Sequence, residues 1–297
     1  MDYVAPAQLM NEIERAGRKK ALLRVCGMLL SGFFSGALLA YATAFAFKVS
    51  DGFAPGASAL VAGVVFPVGF AMIVLLELEL VTGNFAVLPV AVARGKASYG
   101  EMLRNWTWVF LGNLTGSLFF GLLLVVALTE FFHQPAGALG ERIIAVAQSK
   151  TLAYEHFGAA GWLTAFVKGV LCNWMVTIGT VLGLGSRSTT GKIAAIWLPI
   201  MTFFALALEH SVVNMFVIPA AMMLGADISL AQWWTWNQIP VTLGNIVGGA
   251  VFTGLLLHYI DRATVGKDHA AVEGSDTQDG GPASAAFHSA ADTTKLR

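Results

Sequence analysis

Charged residues are scarce in this sequence. Asp, Glu, Lys and Arg together make up 12% of its 297 residues, and 18 basic residues balance 18 acidic ones. Hydrophobic residues make up 56%, and the mean hydropathy is +0.69. So few charges do not suit the surface of a water-soluble domain, and a net charge of zero gives no support for a nucleic-acid partner. The composition therefore predicts an integral membrane protein.

Cysteine is also rare, which argues against two further classes of protein. The two cysteines, Cys26 and Cys172, both lie in apolar stretches. Two such residues do not form a disulfide framework, and no Cys and His spacing resembles that of a zinc site. We therefore expect no structural disulfide, no metal site and no cofactor.

Long apolar runs are what the sequence does contain. Each is long enough to cross a bilayer, which takes about 20 helical residues. They lie near 25–47, 57–79, 105–132, 160–184, 193–224 and 238–260. Lys and Arg cluster before the first run and in every second loop after it, whereas the other loops hold only Lys48, Arg142 and Lys150. This bias predicts a multi-pass protein of the cell membrane with both termini in the cytoplasm.

Composition divides the chain into three parts. Residues 1–20 have apolar and charged positions at helical spacing, which predicts a cytoplasmic amphipathic helix. The sequence is compatible with three positions for this helix: on the membrane surface, against a neighbouring subunit or in solvent. Residues 21–262 hold the six apolar runs, and residues 263–297 are rich in Gly, Ser, Ala, Asp and Thr, which predicts a disordered cytoplasmic tail.

A repeat relates the third apolar run to the sixth. Residues 112–116 read Gly-Asn-Leu-Thr-Gly and residues 244–248 read Gly-Asn-Ile-Val-Gly, and a Gly-Leu-Leu-Leu string follows each. Small residues four positions apart let membrane helices pack closely, but they do not account for the repeated Asn. We therefore infer that the chain contains two copies of a three-helix unit.

The second and fifth runs extend the repeat, because Glu79 and Asn84 have the same spacing as Glu209 and Asn214. Polar residues at these places predict a break in each helix. A second copy that follows three spans must be inverted, and backbone that leaves the helix at membrane depth has to line a cavity or be buried in protein. Two breaks therefore predict one shared pathway. After the first break we expect a loop of about ten residues, ending near Arg94.

Glu209 and His210 are the most costly residues in the fifth run. An ionisable side chain at the centre of a membrane helix costs about 2.5–3.5 kcal/mol on insertion scales, so such residues are usually functional. Histidine is also the side chain that titrates near neutral pH. We predict that His210 is the centre of the pathway, and that Glu209 either holds the break or tunes the histidine.

These residues also carry a family resemblance. Residues 208–219, Leu-Glu-His-Ser-Val-Val-Asn-Met-Phe-Val-Ile-Pro, resemble the fifth-helix signature of the formate/nitrite transporter family almost residue for residue. Further matches are 172–174 (Cys-Asn-Trp), 79–84 (Glu-Leu-Val-Thr-Gly-Asn) and 240–245 (Pro-Val-Thr-Leu-Gly-Asn). The resemblance spans about residues 20–262. It implies an all-α, aquaporin-like fold of six transmembrane helices in a 3+3 inverted repeat with broken second and fifth helices, assembled as a homopentamer.

The resemblance also assigns roles to residues. In the family, a central histidine faces the pore between two hydrophobic constrictions and lies close to a threonine, which here are His210 and Thr82. The residues that match the constrictions are Phe66, Phe203, Phe70, Leu80, Val81 and Val176. A characterised member has Leu where this chain has Phe70, and Phe where it has Val81. The swap keeps the total volume roughly constant but changes the shape of the slit.

The predicted function is proton-coupled passage of a small monovalent anion through the membrane. A bare anion would lose several kcal/mol of hydration in the constrictions, whereas the neutral acid crosses far more cheaply. His210 and Glu209 provide the polar environment for this step, Thr82, Asn173 and Asn214 provide hydrogen bonds, and Lys168 either attracts anions or reaches toward the interface. Formate or nitrite is the expected substrate, with hydrosulfide, acetate and lactate as alternatives.

Two other functions have less support in the sequence. An intramembrane enzyme would use Ser211 or His210 with Glu209, but sequential residues point to different helix faces and the sequence has no Gly-x-Ser-x-Gly turn. A neutral-solute channel of the aquaporin type would have paired Asn-Pro-Ala motifs, and the sequence has none. We therefore expect a channel or transporter that is not an enzyme.

Overall fold

The computed structural model describes residues 2–264, apart from the side chain of Ala7. Within that range regular structure is helical, except for one isolated bridge between Tyr3 and Ser186. Residues up to His258 form one compact unit, and Tyr259–Arg297 is assigned to a second, of which the part up to Thr264 is described and helical. Nearly all of the tail predicted at 263–297 therefore lies outside the described residues.

The first repeat contains six helices. They are α1 (Pro6–Ala21), α2 (Val25–Val49), α3 (Pro55–Val65), α4 (Pro67–Leu75), α5 (Val81–Ala93) and α6 (Tyr99–Leu128). The second repeat contains α7 (Gly137–Lys150), α8 (Leu152–His156), α9 (Gly158–Leu184), α10 (Thr189–Ala205), α11 (Ser211–Met223), α12 (Leu230–Trp233) and α13 (Ile239–Gly249). Two π-turns, Trp234–Gln238 and Ala250–Leu255, flank α13. The second half thus follows the order of the first, with α7 and α8 in place of α1, α10 in place of α3 and α4, and α12, α13 and the π-turns in place of α6.

Five helical segments of the described range are long and apolar enough to cross a membrane. They are Val25–Val49, Pro55–Leu75, Tyr99–Leu128, Gly158–Leu184 and Leu230–Thr264. The fifth predicted span, near 193–224, is divided between the shorter apolar helices α10 and α11. The predictions of an all-helical membrane protein and of breaks in the second and fifth spans are confirmed.

One prediction about the first break is wrong. Residues after Thr82 do not form a loop of ten residues, because α5 begins at Val81 and continues through Pro89 to Ala93. Every residue from Val81 to Ala91 is buried. A proline inside a membrane helix is tolerated when neighbouring elements enclose the backbone that it leaves without a hydrogen bond. Pro219 occupies the same position in α11, so this feature belongs to the repeat.

Small residues bring the outer helices of each repeat together. A Cβ added at Gly112 of α6 would lie 2.7 Å from the Leu29 carbonyl oxygen of α2. In the second repeat, a Cβ added at Gly169 of α9 would lie 2.8 Å from the Val241 carbonyl oxygen of α13. The predicted role of the small residues is therefore confirmed: they allow backbone contact where a side chain would not fit.

The N-terminal helix α1 packs on α5. Met10 and Ile13 are buried against Val87 and Val90. Because α5 is the half-helix that begins at the first break, α1 covers the part of the molecule that supports this break.

Candidate functional site

The two breaks have matching backbone geometry. Each consists of five residues, 76–80 and 206–210, between two helices. The second residue of each is in the left-handed region, with φ of 52° at Glu77 and 50° at Ala207. Such a conformation costs a non-glycine residue about 1–3 kcal/mol and persists where the surroundings enforce it. The chain is therefore held in this turn twice, at equivalent positions.

A buried asparagine secures each break. Asn113 accepts a hydrogen bond from the Val81 backbone N–H at 3.0 Å and donates one to the Glu79 carbonyl at 3.0 Å. Asn245 makes the same pair of bonds in the second repeat, at 2.9 Å from the Ser211 N–H and 2.9 Å to the Glu209 carbonyl. These bonds satisfy backbone groups that the interrupted helices leave free. The repeated Asn of the sequence therefore holds the break open.

Glu209 is buried within a set of hydrogen-bond donors. Lys150 Nζ lies 2.9 Å from Oε2, and the Tyr154 hydroxyl donates to Oε1 at 2.8 Å. The amides of Asn214 and Asn237 donate to Oε2 at 2.7 and 3.3 Å. With four donors, Glu209 is well suited to holding the break, which is one of the two roles predicted for it.

Glu79 has an equivalent environment in the first repeat. Lys20 Nζ lies 2.6 Å from its Oε1, while Asn84 and Asn105 donate to its Oε2 at 2.8 and 3.4 Å. No tyrosine takes part among the hydrogen bonds described for Glu79. These two ion pairs were not predicted from the sequence. Their equal spacing is a signal that could have indicated them, because Lys20 and Lys150 each precede the paired glutamate by 59 residues.

His210 lies where the two breaks meet. Its Nε2 is 3.1 Å from Thr82 Oγ1, and its Nδ1 accepts a hydrogen bond from the Val213 N–H at 3.3 Å. Because Nδ1 is an acceptor, the proton of the neutral ring is on Nε2, and His210 donates to the Thr82 oxygen. The structure thus brings together the two residues predicted to form the centre of the pathway.

Apolar residues enclose this pair. The Phe203 ring stacks on the His210 imidazole with centroids 5.5 Å apart and meets the Phe66 ring edge-on, also at 5.5 Å. All six predicted constriction residues are buried: Phe66, Phe70, Leu80, Val81, Val176 and Phe203. The residues assigned to the constrictions are therefore buried, and Phe203 among them contacts His210.

Two cavities lead toward these residues. The first, about 240 Å³, is lined by Phe70, Leu80 and Lys20 among others. The second, about 250 Å³, is lined by Phe203, His210 and Lys150 among others. Each cavity therefore contains the lysine that pairs with a break glutamate and at least one constriction residue. The two cavities therefore have similar linings, which combine an apolar wall with an ion-paired lysine.

The remaining predicted residues lie around the centre. Asn173 donates to the Thr82 carbonyl at 3.1 Å and to the Asn245 carbonyl at 2.7 Å, so it connects the two repeats. Asn214 contacts Glu209. Lys168 lies over the Tyr154 ring, 5.7 Å from its centroid, and is not among the residues that line either cavity. Asn173 thus touches the Thr82 backbone directly, whereas Lys168 reaches the site only through Tyr154.

Comparison with known proteins agrees with this arrangement. The sequence model described as formate/nitrite transporter matches residues 7–259. A protein named "Probable formate transporter" from Methanothermobacter thermautotrophicus is 40% identical in an alignment of 273 positions that covers 86% of this chain and 97% of the relative. The protein named "Formate channel FocA" from Haemophilus influenzae is 33% identical, over 87% of this chain and 95% of its own length.

Solved structures show the same similarity. An ion channel of the FNT family superposes with a TM-score of 0.75 at 28% identity, over 85% of this chain and 98% of that one. A structure titled "Pentameric formate channel with formate bound" gives a TM-score of 0.65 at 30% identity, over 80% and 97%. The predicted all-α, aquaporin-like fold is confirmed, and so is the prediction of a membrane channel or transporter. With a family match over most of its length and two repeats arranged around His210, the chain belongs to the formate/nitrite transporter family.

Proposed function

We propose that this protein conducts formate across the cell membrane as neutral formic acid, with Thr82 and His210 at the centre of its path. The observation that carries the proposal is the 3.1 Å contact between these two side chains, one from each repeat. The Phe203 ring stacks on His210, the other residues assigned to the constrictions are buried, and residues of each constriction line a cavity. Formate is proposed as substrate because relatives bear its name and a solved neighbour is described as holding it.

The mechanism follows from the cost of desolvation. A carboxylate that enters a dry constriction loses several kcal/mol of hydration, and protonation removes most of this penalty. In the neutral tautomer described above, the His210 Nε2–H donates to Thr82, and the Thr82 hydroxyl hydrogen can be donated to a carboxylate oxygen. The substrate takes up a proton from water in the cavity, passes as the acid and releases the proton on the far side.

The surrounding residues have supporting roles in this proposal. Glu209 and Asn214 hold the second break, Asn173 fixes the Thr82 backbone, and Lys168 acts only through Tyr154. Phe66, Phe203, Phe70, Leu80, Val81 and Val176 form the two constrictions. Neutral acid rather than anion therefore crosses an apolar barrier that offers it the Thr82 and His210 side chains as polar partners.

The assembly is proposed on the same basis. We propose a homopentamer in the bilayer of the cell membrane, because a solved relative at 30% identity is described as pentameric. We propose that both termini lie in the cytoplasm, because Lys and Arg cluster before the first span and in every second loop after it. Residues 1–20 then form a cytoplasmic helix, 21–262 the channel domain and 263–297 a cytoplasmic tail.

The substrate is tested by a panel in proteoliposomes that contain purified protein and a pH dye. Formate, nitrite, acetate, lactate and hydrosulfide are added separately at matched concentration. We expect formate to enter fastest and to acidify the interior. Formate entry no faster than in protein-free liposomes would refute the proposal, and a faster rate for another anion would reassign the substrate.

Replacing Phe203 with alanine should relax selectivity. The ring stacks on His210 and is 2% exposed, so its loss opens space in the constriction that Phe203 forms with Phe66. We expect the ratio of acetate to formate entry to rise, and thermal stability to fall because a buried Phe→Ala change costs about 3–5 kcal/mol. Phe119→Ala is the control, since Phe119 is 49% exposed on the surface of the chain. An unchanged ratio of acetate to formate entry in Phe203→Ala would show that Phe203 is not part of a constriction.

A further inference from the structure

The third membrane span of the second repeat is two residues longer than its counterpart between equivalent residues, since Gly254 follows Ser229 by 25 positions and Gly121 follows Ser98 by 23. The two extra residues lie at separate places. The N-cap serine Ser98 precedes Asn105 by seven positions, whereas the N-cap serine Ser229 precedes Asn237 by eight. Asn105 and Asn237 make equivalent bonds to Glu79 and Glu209, which fixes the alignment. One residue has therefore been inserted near the start of this span.

A second insertion lies further along. Between the repeated glycines, Gly116 precedes Gly121 by five positions, but Gly248 precedes Gly254 by six. The Leu-Leu-Leu string that follows each of the later glycines keeps the alignment unambiguous. In a regular α-helix, one extra residue would rotate everything beyond it by about 100°.

Each insertion coincides with a π-turn. The π-turns cover Trp234–Gln238 and Ala250–Leu255, while α6 of the first repeat is a continuous α-helix from Tyr99 to Leu128. A π-turn accommodates one extra residue locally, and such turns are frequent at functional sites. Asn245 and Gly254 therefore make their contacts from the same face of the helix. The extra residue can make a contact that has no counterpart in α6.

The second π-turn makes such a contact through Thr253. Thr253 is fully buried, and its Oγ1 lies 2.7 Å from Thr177 Oγ1 of α9. The Thr177 hydroxyl donates to the Asn173 carbonyl at 2.6 Å. The neighbouring Gly254 lies so close to α5 that an added Cβ would overlap the Ala86 carbonyl oxygen. The π-turn thus contacts both α9 and α5.

The same region leads to Thr82. Gly249 stands where the first repeat has Ser117, and a Cβ there would lie 2.8 Å from Asn173 Nδ2 and 2.9 Å from Phe85 Cβ. The missing side chain leaves room for the Asn173 amide, which donates to the Thr82 carbonyl at 3.1 Å. Thr82 is the second residue of α5, so contacts that fix α5 and Asn173 also fix the Thr82 hydroxyl.

We propose that Thr253, the buried polar residue of the second π-turn, is a positioning residue for the pair formed by Thr82 and His210. It joins the last helix to α9 beside Asn173, and the π-turn holds α5 against the same helix. The hydroxyl of Thr82 is thereby kept 3.1 Å from His210 Nε2. The transport part of the test rests on the proposed function, whereas the structural part does not.

The first test replaces Thr253 with valine, which keeps the shape and removes the hydroxyl. Loss of one buried hydrogen bond corresponds to about 1 kcal/mol, so we expect formate entry to fall about fivefold. T253S restores the hydroxyl and should restore entry. V251T is the matched control, because Val251 lies in the same π-turn but is 49% exposed. Wild-type entry in T253V, or an equal loss in V251T, would overturn the proposal.

A double-mutant cycle distinguishes positioning from general stability. If Thr253 acts through Thr82, the variant T82A/T253V is no slower than T82A alone, whereas independent effects multiply. If the wild type does not carry formate, the proposed function is wrong. The role of Thr253 is then tested by a structure of T253V, which does not depend on transport. We expect Thr82 Oγ1 to lie beyond hydrogen-bond distance of His210 Nε2 in that variant. An unchanged Thr82 and His210 contact would overturn it.

Discussion

Replacing Lys150 with methionine should lower the free energy of unfolding by about 3–5 kcal/mol, because it leaves a buried carboxylate without its cation. The Lys150 side chain is 13% exposed and that of Glu209 is 2% exposed, so water does little to replace the lost charge. Thermal unfolding of the purified protein in detergent, followed by fluorescence, measures the loss. Equal melting temperatures for K150M and the wild type would show that the ion pair does not hold the break.

The control for this prediction is the variant K150M/E209Q. Removing both charges leaves no buried ion. The amide introduced by Glu209→Gln would keep an oxygen in place of Oε2 to accept from Asn214, and its NH2 group can donate to the Tyr154 hydroxyl oxygen. We expect the double variant to be more stable than K150M alone, because much of the cost of breaking a buried pair is the unpaired charge. Lys168→Met serves as a second control, since Lys168 contacts the Tyr154 ring and not Glu209.

Replacing His210 with phenylalanine should reduce formate entry by about one to two orders of magnitude. The change keeps an aromatic ring against Phe203 but removes the hydrogen bond that orients the Thr82 hydroxyl for donation to the substrate carboxylate, and a hydrogen bond to a charged group contributes about 1.5–3 kcal/mol. Entry of radiolabelled formate into proteoliposomes measures the effect over a range of external pH. A rate and pH dependence like those of the wild type would exclude His210 from the pathway.

The control for His210 comes from its partner. Thr82→Ser keeps the hydroxyl that contacts Nε2, whereas Thr82→Val removes it without changing the shape of the side chain. We expect Thr82→Ser to transport at a rate close to the wild type and Thr82→Val to be impaired like His210→Phe. If Thr82→Val transports normally, the pair does not act as a unit.

Features that recur at fixed spacing could be predicted from the sequence. The repeated Asn113 and Asn245, and the glutamates Glu79 and Glu209, marked the breaks because a polar residue in an apolar run needs a partner. The family resemblance predicted that Thr82 lies close to His210, and in the structure Thr82 Oγ1 is 3.1 Å from His210 Nε2. Membrane spans and helix breaks can therefore be predicted from composition and from the internal repeat.

Contacts between distant segments were not predicted in the same way. Lys150 precedes Glu209 by 59 residues and belongs to a helix outside the apolar runs, so its charge was read only as a sign of topology. The half-helix α5 was mistaken for a loop because Thr82, Gly83 and Pro89 all favour turns in water. Enclosure by neighbouring helices overrides these local preferences.

The π-turns were visible in the sequence only as a mismatch between repeats. Gly121 and Gly254 align with an offset one residue larger than that of Asn113 and Asn245. An insertion can be absorbed as a loop, a rotation or a bulge, and the sequence does not distinguish these outcomes. Packing of Gly254 on Ala86 accounts for the bulge, because a rotated helix would present a different residue to α5.

The central claim is that the substrate crosses the barrier around Thr82 and His210 as an uncharged acid. Its most direct test measures formate entry and internal pH together in proteoliposomes, with and without an imposed membrane potential. The account predicts that each formate enters with a proton, that the interior acidifies in step with uptake, and that the potential has no effect on the rate. Uptake that follows the membrane potential without acidification would mean that the anion itself crosses, and would contradict the account.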